Sequence, residues 1–200
     1  MTKLRADLSI ISDWIRPNSR VLDLGCGRGA LLSHLKERHN ITGYGLEIEV
    51  DKIADGIRAG VNVLHRDLDT GKLDFASNSF DFVIMAQTLQ AIKQPDVLID
   101  EMARIGKSGI ITFPNFGYWE NRLRLFFKGR MPLSNLLPYE WYNSPNIHLC
   151  TLRDFEKLCH EKHITITQRT VVDLSHQTRL LTKWFPNWFG QIALYQFTKA

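Results

Sequence analysis

A glycine-rich turn near the start of the chain carries the strongest chemical signal. The segment Asp23-Leu24-Gly25-Cys26-Gly27-Arg28-Gly29 follows an apolar stretch and leads into a run whose apolar residues recur at helical spacing. Glycine backbones adopt positive φ and let a ligand approach the main chain. The helix behind them offers free N–H groups and the positive end of its dipole. The order strand, glycine turn, helix therefore predicts a site for a nucleotide-type cofactor.

Two acidic residues narrow the choice of cofactor. Asp23 lies two residues before the first glycine, where a strand of an open α/β sheet meets the ligand crevice. Its carboxylate would repel the pyrophosphate of a dinucleotide and attract the ammonium group of S-adenosylmethionine. Glu47 ends the next apolar stretch, where a carboxylate can accept hydrogen bonds from ribose hydroxyls. The two acids favour S-adenosylmethionine or S-adenosylhomocysteine, although the spacing Gly25, Gly27, Ala30 also fits a NAD-dependent dehydrogenase.

A third acid follows the next predicted strand. Asp67 comes shortly after the apolar run 61–64, where a carboxylate would accept the adenine amino group while Leu68 packs on the ring. Alternatively, Asp67 and Asp69 open a turn, which is a frequent role for aspartate. Because acids also end the two preceding strands, we favour the binding interpretation.

Four further side chains have candidate roles near this group. Gln87 would bond the methionine end of the cofactor and Arg28 its carboxylate, or either caps local structure. Cys26 lies at a helix N-terminus, which predicts a lowered pKa, and it is small enough to fit beneath the cofactor. His148 is a candidate catalytic base, although a lone histidine is more often structural. The predicted cofactor contacts are Asp23, Gly25, Cys26, Gly27, Glu47, Ile48, Asp67, Leu68 and Gln87.

Composition indicates one globular domain over residues 1–200. The hydrophobic share of 44% and the charged share of 23% are ordinary for such a domain. A net charge of +4 is too small and too dispersed to argue for nucleic-acid binding. Residues 8–15 form an amphipathic pattern, expected to pack on the sheet edge, rather than a secretion signal. No apolar run is long enough to span a bilayer.

The cysteines predict neither disulfides nor a metal centre. Three widely spaced cysteines, an odd number, fit a reducing cytoplasm, so we expect a cytoplasmic protein. Cys159-His160-x-x-His163 has a metal-like composition, but Cys159 falls on an apolar helix face and the spacing is loose for zinc. We expect no metal site.

Alternating strand and helix patterns predict the fold class. Helices are expected at about 30–39, 50–59 and 95–105, and strands at 41–48, 61–65, 80–86 and 109–113. Such alternation implies a doubly wound, mostly parallel sheet of Rossmann type. Strands at 164–167 and 191–198 have no long helix pattern between them, so they are expected to pair antiparallel as a hairpin at the sheet edge. We therefore predict a seven-stranded α/β sheet whose last strand is antiparallel.

An aromatic insertion at 114–148 interrupts this pattern. It holds eight of the 21 aromatic residues of the chain, together with four basic residues in its first half. Aromatic residues with arginine are typical of interface cores, but aromatics also fill ordinary protein cores. The insertion is therefore a lid, a docking surface or a well-packed excursion, and we favour a lid or a docking surface because so much aromatic area needs a cover.

The combined motifs resemble class I S-adenosylmethionine-dependent methyltransferases and, more narrowly, the MetW family of bacterial methionine-biosynthesis proteins. The narrower resemblance lies in MAQTLQ at 85–90, TFPNFGYW at 112–119 and NIHLCT at 146–151, and it covers nearly the full chain. It implies a protein that supports or regulates homoserine O-acyltransferase. We expect that contact to use the insertion, with Trp119, Arg122 and Phe126.

The alternative is an active small-molecule methyltransferase. Methyl transfer needs mainly proximity and alignment, so the lack of an obvious base does not exclude it. The segment 87–90, however, lacks the Asn-Pro-Pro-Tyr signature of methylases that act on amino groups.

Overall fold

A seven-stranded mixed sheet with helices on both faces organises the chain, which the computed structural model describes over residues 4–134, 136–173 and 180–199. The strands are β1 (Arg20–Leu24), β2 (Thr42–Glu47), β3 (Asn62–His65), β4 (Phe80–Ala86), β5 (Gly106–Pro114), β6 (Ile164–Val172) and β7 (Ile192–Lys199). The helices are α1 (Ala6–Trp14), α2 (Ala30–His39), α3 (Val50–Arg58), α4 (Pro95–Ile105), α5 (Trp119–Lys128), α6 (Leu152–Glu161), α7 (Leu180–Trp184) and α8 (Pro186–Phe189). Short 3₁₀ turns cover Leu68–Thr70 and Leu89–Ala91.

The strand order is β3-β2-β1-β4-β5-β7-β6. The first five strands pair in parallel, while β7 is antiparallel to both β5 and β6. The predicted α/β sheet with an antiparallel last strand is therefore confirmed. The predicted hairpin is present. Of its two strands, β6 lies at the sheet edge, while β7 lies inside the sheet between β5 and β6.

Local sequence explains where the helices that flank the site begin and end. Gly29 has φ 76° immediately before α2, and Asn40 has φ 51° immediately after it. Proline is tolerated in the first helical turn because it removes no intrahelical hydrogen bond there, and Pro95 begins α4. Thr151 and Asp154 form a reciprocal capping box at the start of α6.

Side chains that alternate along the strands form a hydrophobic core on each face of the sheet. Leu22 and Leu24 of β1 face one layer with Val83 and Met85 of β4, and Phe155 of α6 packs in that layer. The alternate residues face the other layer, which contains helices α1 and α2. Its buried members include Ile11, Ile15, Val21, Leu31, Leu35, Phe82 and Ile84.

Helix α1 packs on a sheet face. The expectation that residues 8–15 lie on the sheet edge is wrong, because Ile11 and Ile15 are buried with side chains of β1, β4, β5 and β7. An apolar stripe buries more area on a central face than on an edge, which favours this arrangement. In the described part of the chain, no helix is both long enough and apolar enough to cross a membrane.

The described residues of the insertion after β5 contain one regular element. Helix α5 follows Pro114 after four residues, and much of the segment from Gly129 to the start of α6 has no regular secondary structure. Several of its large apolar side chains are exposed, and Phe126 reaches 81% and Phe127 75% exposure.

Candidate functional site

A crevice of about 440 Å³ opens at the carboxyl ends of β1, β2, β3 and β4. This is the expected ligand position in an open α/β sheet, where the strand order reverses between β1 and β4. Its lining includes seven of the nine predicted cofactor contacts: Gly25, Gly27, Glu47, Ile48, Asp67, Leu68 and Gln87. The other two, Asp23 and Cys26, are buried and lie outside this lining.

The glycine turn presents bare backbone to this crevice. Gly25, Gly27 and Gly29 have φ values of 74°, 56° and 76°, a region that side chains with a Cβ rarely adopt. A Cβ built on Gly27 would meet no atom within 4 Å, so a ligand can approach that backbone. A Cβ on Gly25 would lie 2.6 Å from Oγ1 of Thr88. Gly25 is thus needed for packing as well as for conformation.

We expect Gly25→Ala to destabilise the protein more than Gly27→Ala. Both variants carry the strain of positive φ, about 1–2 kcal/mol. The first also overpacks the contact with Thr88, adding roughly 1–3 kcal/mol. Urea unfolding of the two variants measures the difference. Equal losses of stability would contradict the assigned contact, and Gly25→Ala with Thr88→Ala should recover part of the loss.

Glu47 fastens the glycine turn to the end of β2. Its Oε2 accepts a hydrogen bond from the Gly27 N–H at 2.9 Å, and its Oε1 accepts from the N–H groups of Ile48 and Glu49 at 2.8 and 3.0 Å. A carboxylate has about four acceptor positions, so one position on Oε2 remains for a ligand hydroxyl. Glu47 is 7% exposed and lines the crevice. This position fits a residue that both holds the glycine turn and bonds to a ligand.

Asp67 both caps a turn and lines the crevice. Its Oδ1 accepts a hydrogen bond from the Asp69 N–H at 2.9 Å at the start of the 3₁₀ turn, as the turn interpretation requires. The carboxyl group is nevertheless exposed on the crevice wall, next to the buried side chain of Leu68. The geometry is compatible with both interpretations.

Asp23 is buried at the end of β1 with an unsatisfied oxygen. The residue is 3% exposed, and its Oδ1 has no hydrogen-bond partner in the described ranges. Burial raises the pKa of this carboxyl to about 7; nearby Arg5 lowers it and Glu47 raises it further. Unpaired buried polar atoms are uncommon and call for an explanation, such as a missing ligand.

The start of α1 contributes residues that sequence reasoning missed. Arg5 lines the crevice, and its Nε and Nη2 donate to the two carboxylate oxygens of Asp7 at 2.6 and 2.9 Å. Asp7 is fully buried and also accepts from Nε2 of Gln87 at 3.3 Å. Thr88 and Ile92 complete the wall after β4. No local motif marks Arg5 or Asp7, because only the packing of α1 on the sheet brings them to β4.

Besides Asp23, three candidate side chains lie outside the crevice lining. Cys26 packs in the core against Gly45, and burial together with two nearby carboxylates raises the pKa of its thiol to about 12, so the predicted lowering is wrong. Arg28 is 73% exposed and pairs with Asp55, which leaves it outside the crevice lining.

His148 is the third of these side chains. It lines a separate apolar cavity of about 120 Å³, and its Nε2 lies 3.2 Å from the Lys93 carbonyl oxygen. That contact gives the ring a structural partner. In the part of the chain that the structure describes, no three His, Cys, Asp or Glu side chains are grouped to hold a metal ion.

The residues present fit an adenosyl amino acid. The open Gly27 backbone admits a ligand, and Glu47 and Asp67 offer carboxylate oxygens at the ends of β2 and β3. The unpaired Oδ1 of Asp23 offers an acceptor for an ammonium group. A dinucleotide would place its pyrophosphate beside these acids, which is electrostatically unfavourable.

Comparison with known proteins identifies the family. The model of the family described as methionine biosynthesis protein MetW matches residues 5–197. The chain belongs to the MetW family. A MetW relative, the bifunctional methionine biosynthesis protein MetXA/MetW of Rhodopirellula baltica, is 32% identical over 97% of this chain. The chain spans only 33% of the length of that relative.

Solved structures share the MetW fold at low identity. The PH0226 protein of Pyrococcus horikoshii superposes with a TM-score of 0.71 at 16% identity, covering 100% of this chain and 92% of its own. A SAM-dependent methyltransferase of Thermotoga maritima, a possible histamine N-methyltransferase, gives 0.66 at 16% identity, covering 98% and 89%. The likeness establishes the fold alone, and it confirms the predicted class I methyltransferase-like sheet.

Proposed function

We propose that the crevice binds S-adenosylmethionine or S-adenosylhomocysteine, and that the chain supports homoserine O-acyltransferase in response to that ligand. The observation that carries the first part is the buried, unpaired Oδ1 of Asp23 beside the open glycine turn. A ligand ammonium would satisfy this oxygen and neutralise the buried charge. Membership of a methionine-biosynthesis family makes a product of methionine a reasonable signal for the pathway.

A surface of exposed aromatic residues supports the partner role. We call it the aromatic surface; its exposed rings are Phe126 and Phe127 on α5 and Trp184, Phe185 and Trp188 on and between α7 and α8. The guanidinium of Arg122 lies 4.6 Å from the Trp188 ring centroid, which holds α8 beside α5. Exposed aromatic side chains grouped on neighbouring helices commonly mark an interaction site. None of the residues lining the crevice comes from the described part of the insertion, which weighs against a lid over the cofactor.

The three predicted contact residues differ in their suitability for a partner. Phe126 is 81% exposed and free to enter a pocket of another protein. Trp119 is half-buried, and Arg122 donates to the Gly117 carbonyl oxygen at 2.5 Å as well as stacking on Trp188. These two residues maintain the shape of the aromatic surface. The MetXA/MetW relative, whose name joins two functions in one chain, supports homoserine O-acyltransferase as the partner.

A methyltransferase is the second candidate, favoured by one observation. The apolar cavity beside His148 and the crevice share the 3₁₀ turn Leu89–Ala91 as their common wall. A small apolar methyl acceptor in that cavity would lie close to the cofactor. Bringing the reactants together is the main requirement for methyl transfer.

Titration calorimetry with S-adenosylmethionine and NAD tests the cofactor. We expect micromolar binding of S-adenosylmethionine and no heat with NAD. Asp67→Ala should weaken binding roughly tenfold, because it removes a charged acceptor from the crevice. Asp96→Ala, which removes an exposed carboxylate paired with Lys162, is the matched control and should leave the affinity unchanged.

Three results would change the proposal. No heat with wild-type protein at millimolar S-adenosylmethionine would overturn cofactor binding. Tighter binding of NAD would favour a dehydrogenase. Release of S-adenosylhomocysteine in the presence of pathway metabolites would favour the methyltransferase over the partner role.

A further inference from the structure

Three cations line the crevice, and they divide between its two ends. Lys52 pairs with Glu49 at 2.6 Å and Arg66 with Asp74 at 3.0 Å, on the β2 and β3 side with Glu47 and Asp67. Arg5 belongs to the segment that packs against Gln87, after β4. Because β1 lies between β2 and β4, Arg5 is, of the described lining residues, the cation on the β4 side of Asp23.

The Arg5 guanidinium is held in one orientation and keeps N–H groups that do not bond to Asp7. Its Nε and Nη2 form a two-point contact with the buried Asp7, and Gln87 donates to the same carboxylate. Guanidinium has five N–H groups, and this contact uses two of them. The remaining donors include both terminal nitrogens, which form the fork that matches a carboxylate.

This arrangement fits the charged end of an amino acid. An α-amino acid carries an ammonium and a carboxylate on one carbon, so its binding site needs an anion and a cation close together. Asp23 supplies an unpaired carboxylate oxygen at the end of β1. The neighbouring strand β4 leads to Gln87, which donates to the same Asp7 carboxylate that holds Arg5. Arg28 is the contact that the sequence suggests for the ligand carboxylate, but it pairs with Asp55.

We propose that Arg5 binds the α-carboxylate of the adenosyl ligand and that Asp7 positions the Arg5 guanidinium for this contact. The inference rests on the proposed function, since it concerns the amino-acid end of the same ligand. It gives the site a means of discrimination: S-adenosylhomocysteine has the carboxylate, while its decarboxylated analogue and 5′-methylthioadenosine lack it. A protein with this residue responds to the intact amino acid rather than to adenosyl breakdown products.

Affinities for three ligands test the proposal. Wild-type protein should bind S-adenosylhomocysteine roughly tenfold to a hundredfold more tightly than the decarboxylated analogue, the range expected for a charge-assisted pair. Arg5→Ala alone would leave the negative charge of the buried Asp7 without a cation. The variant to use is therefore Arg5→Ala with Asp7→Asn. It should lose the preference for the carboxylate and bind the decarboxylated analogue and 5′-methylthioadenosine as wild type does. Arg5→Lys, which keeps the charge, should keep part of the preference.

The matched control removes a second arginine–aspartate pair that involves α1. Arg38 and Asp13 lie 3.0 Å apart and outside the crevice lining, so Arg38→Ala with Asp13→Asn should retain the full preference. Equal weakening of all three ligands in the Arg5 variant would overturn the proposal and assign Arg5 to holding α1 in place. An unchanged preference would also overturn it. Failure of wild-type protein to bind any of the three ligands would overturn the proposed function itself.

Discussion

Replacing Asp23 by Asn should make the free protein more stable above neutral pH and at the same time strongly weaken the proposed binding of S-adenosylmethionine. Burial raises the pKa of this carboxyl from 3.8 to about 7. The folded protein therefore holds a proton on Asp23 that the unfolded chain releases above pH 4. A group whose pKa is raised on folding stabilises at low pH, and this stabilisation is lost as the pH rises to the folded pKa.

The size of the effect follows from the pKa. Each pH unit within the window costs the wild type about 1.4 kcal/mol of unfolding free energy. Between pH 5 and pH 8 the wild type should lose about 2–3 kcal/mol that the Asn variant retains, or roughly 5–10 °C in melting temperature. Thermal melts of both proteins at several pH values measure this difference.

Ligand affinity should have the opposite pH dependence to stability: it should rise as the pH rises to 7. Only the ionised carboxylate attracts an ammonium group, so the wild type should bind about tenfold more weakly for each pH unit below 7. The Asn variant should bind about a hundredfold more weakly at pH 7, since a buried charge pair is lost. Stability and binding would then be in conflict at this residue, as is common at functional sites.

Asp81→Asn is the control for the pH argument. Hydrogen bonds from the Arg20 N–H and from Lys107 lower the pKa of Asp81. Its contribution to stability is therefore present at neutral pH and lost in acid, so this variant should lose stability at pH 7 and keep its ligand affinity. A wild type whose melting temperature parallels that of Asp23→Asn from pH 5 to 8 would refute the raised pKa.

Replacing Phe126 and Phe127 together by Ser should greatly weaken the proposed binding to homoserine O-acyltransferase. The two rings are 81% and 75% exposed on α5 and lie edge to face with centroids 5.0 Å apart. Buried aromatic residues at the centre of an interface contribute about 2 kcal/mol or more each, so the pair should cost at least a hundredfold in affinity. Surface plasmon resonance between the two purified proteins measures the loss.

Exposed residues can be changed without disturbing the fold. The double variant should keep its melting temperature and its affinity for S-adenosylmethionine, because neither ring lines the crevice or belongs to the buried core. Ile57→Ser, on α3 and 58% exposed, is the matched loss of an apolar surface residue and should bind the partner normally. Retained binding by the Phe variant would move the interface away from the aromatic surface.

The sequence predicts those parts of the fold and site whose causes are local. Helices α2 and α4 begin and end as expected because Gly29, Asn40 and Pro95 act on neighbouring backbone. The crevice residues Gly27 and Glu47 were predictable because parallel strands bring their carboxyl ends to one edge. In both cases a short-range pattern determines the outcome.

The missed features depend on distant packing. Arg5 and Asp7 reach Gln87 only after α1 has packed on the sheet, and no spacing between residue 7 and residue 87 signals it. The pKa of Cys26 rises because Gly45 leaves room for the sulfur in the core, an effect stronger than that of the helix N-terminus. Strand β6 extends to Val172, five residues beyond its prediction, since the polar Gln168 and Arg169 are acceptable on an edge strand.

The position of β7 determines when the sheet can be completed during synthesis. The ribosome makes β6 before β7, yet β7 lies between β5 and β6 and forms the antiparallel ladder of each. Until residues 192–199 emerge, β6 has no neighbour and the nearly fully buried β5 presents an unpaired edge. Such edges attract other chains. The nascent protein should therefore depend most on chaperones after its cofactor crevice has formed, while the last strand is still being made.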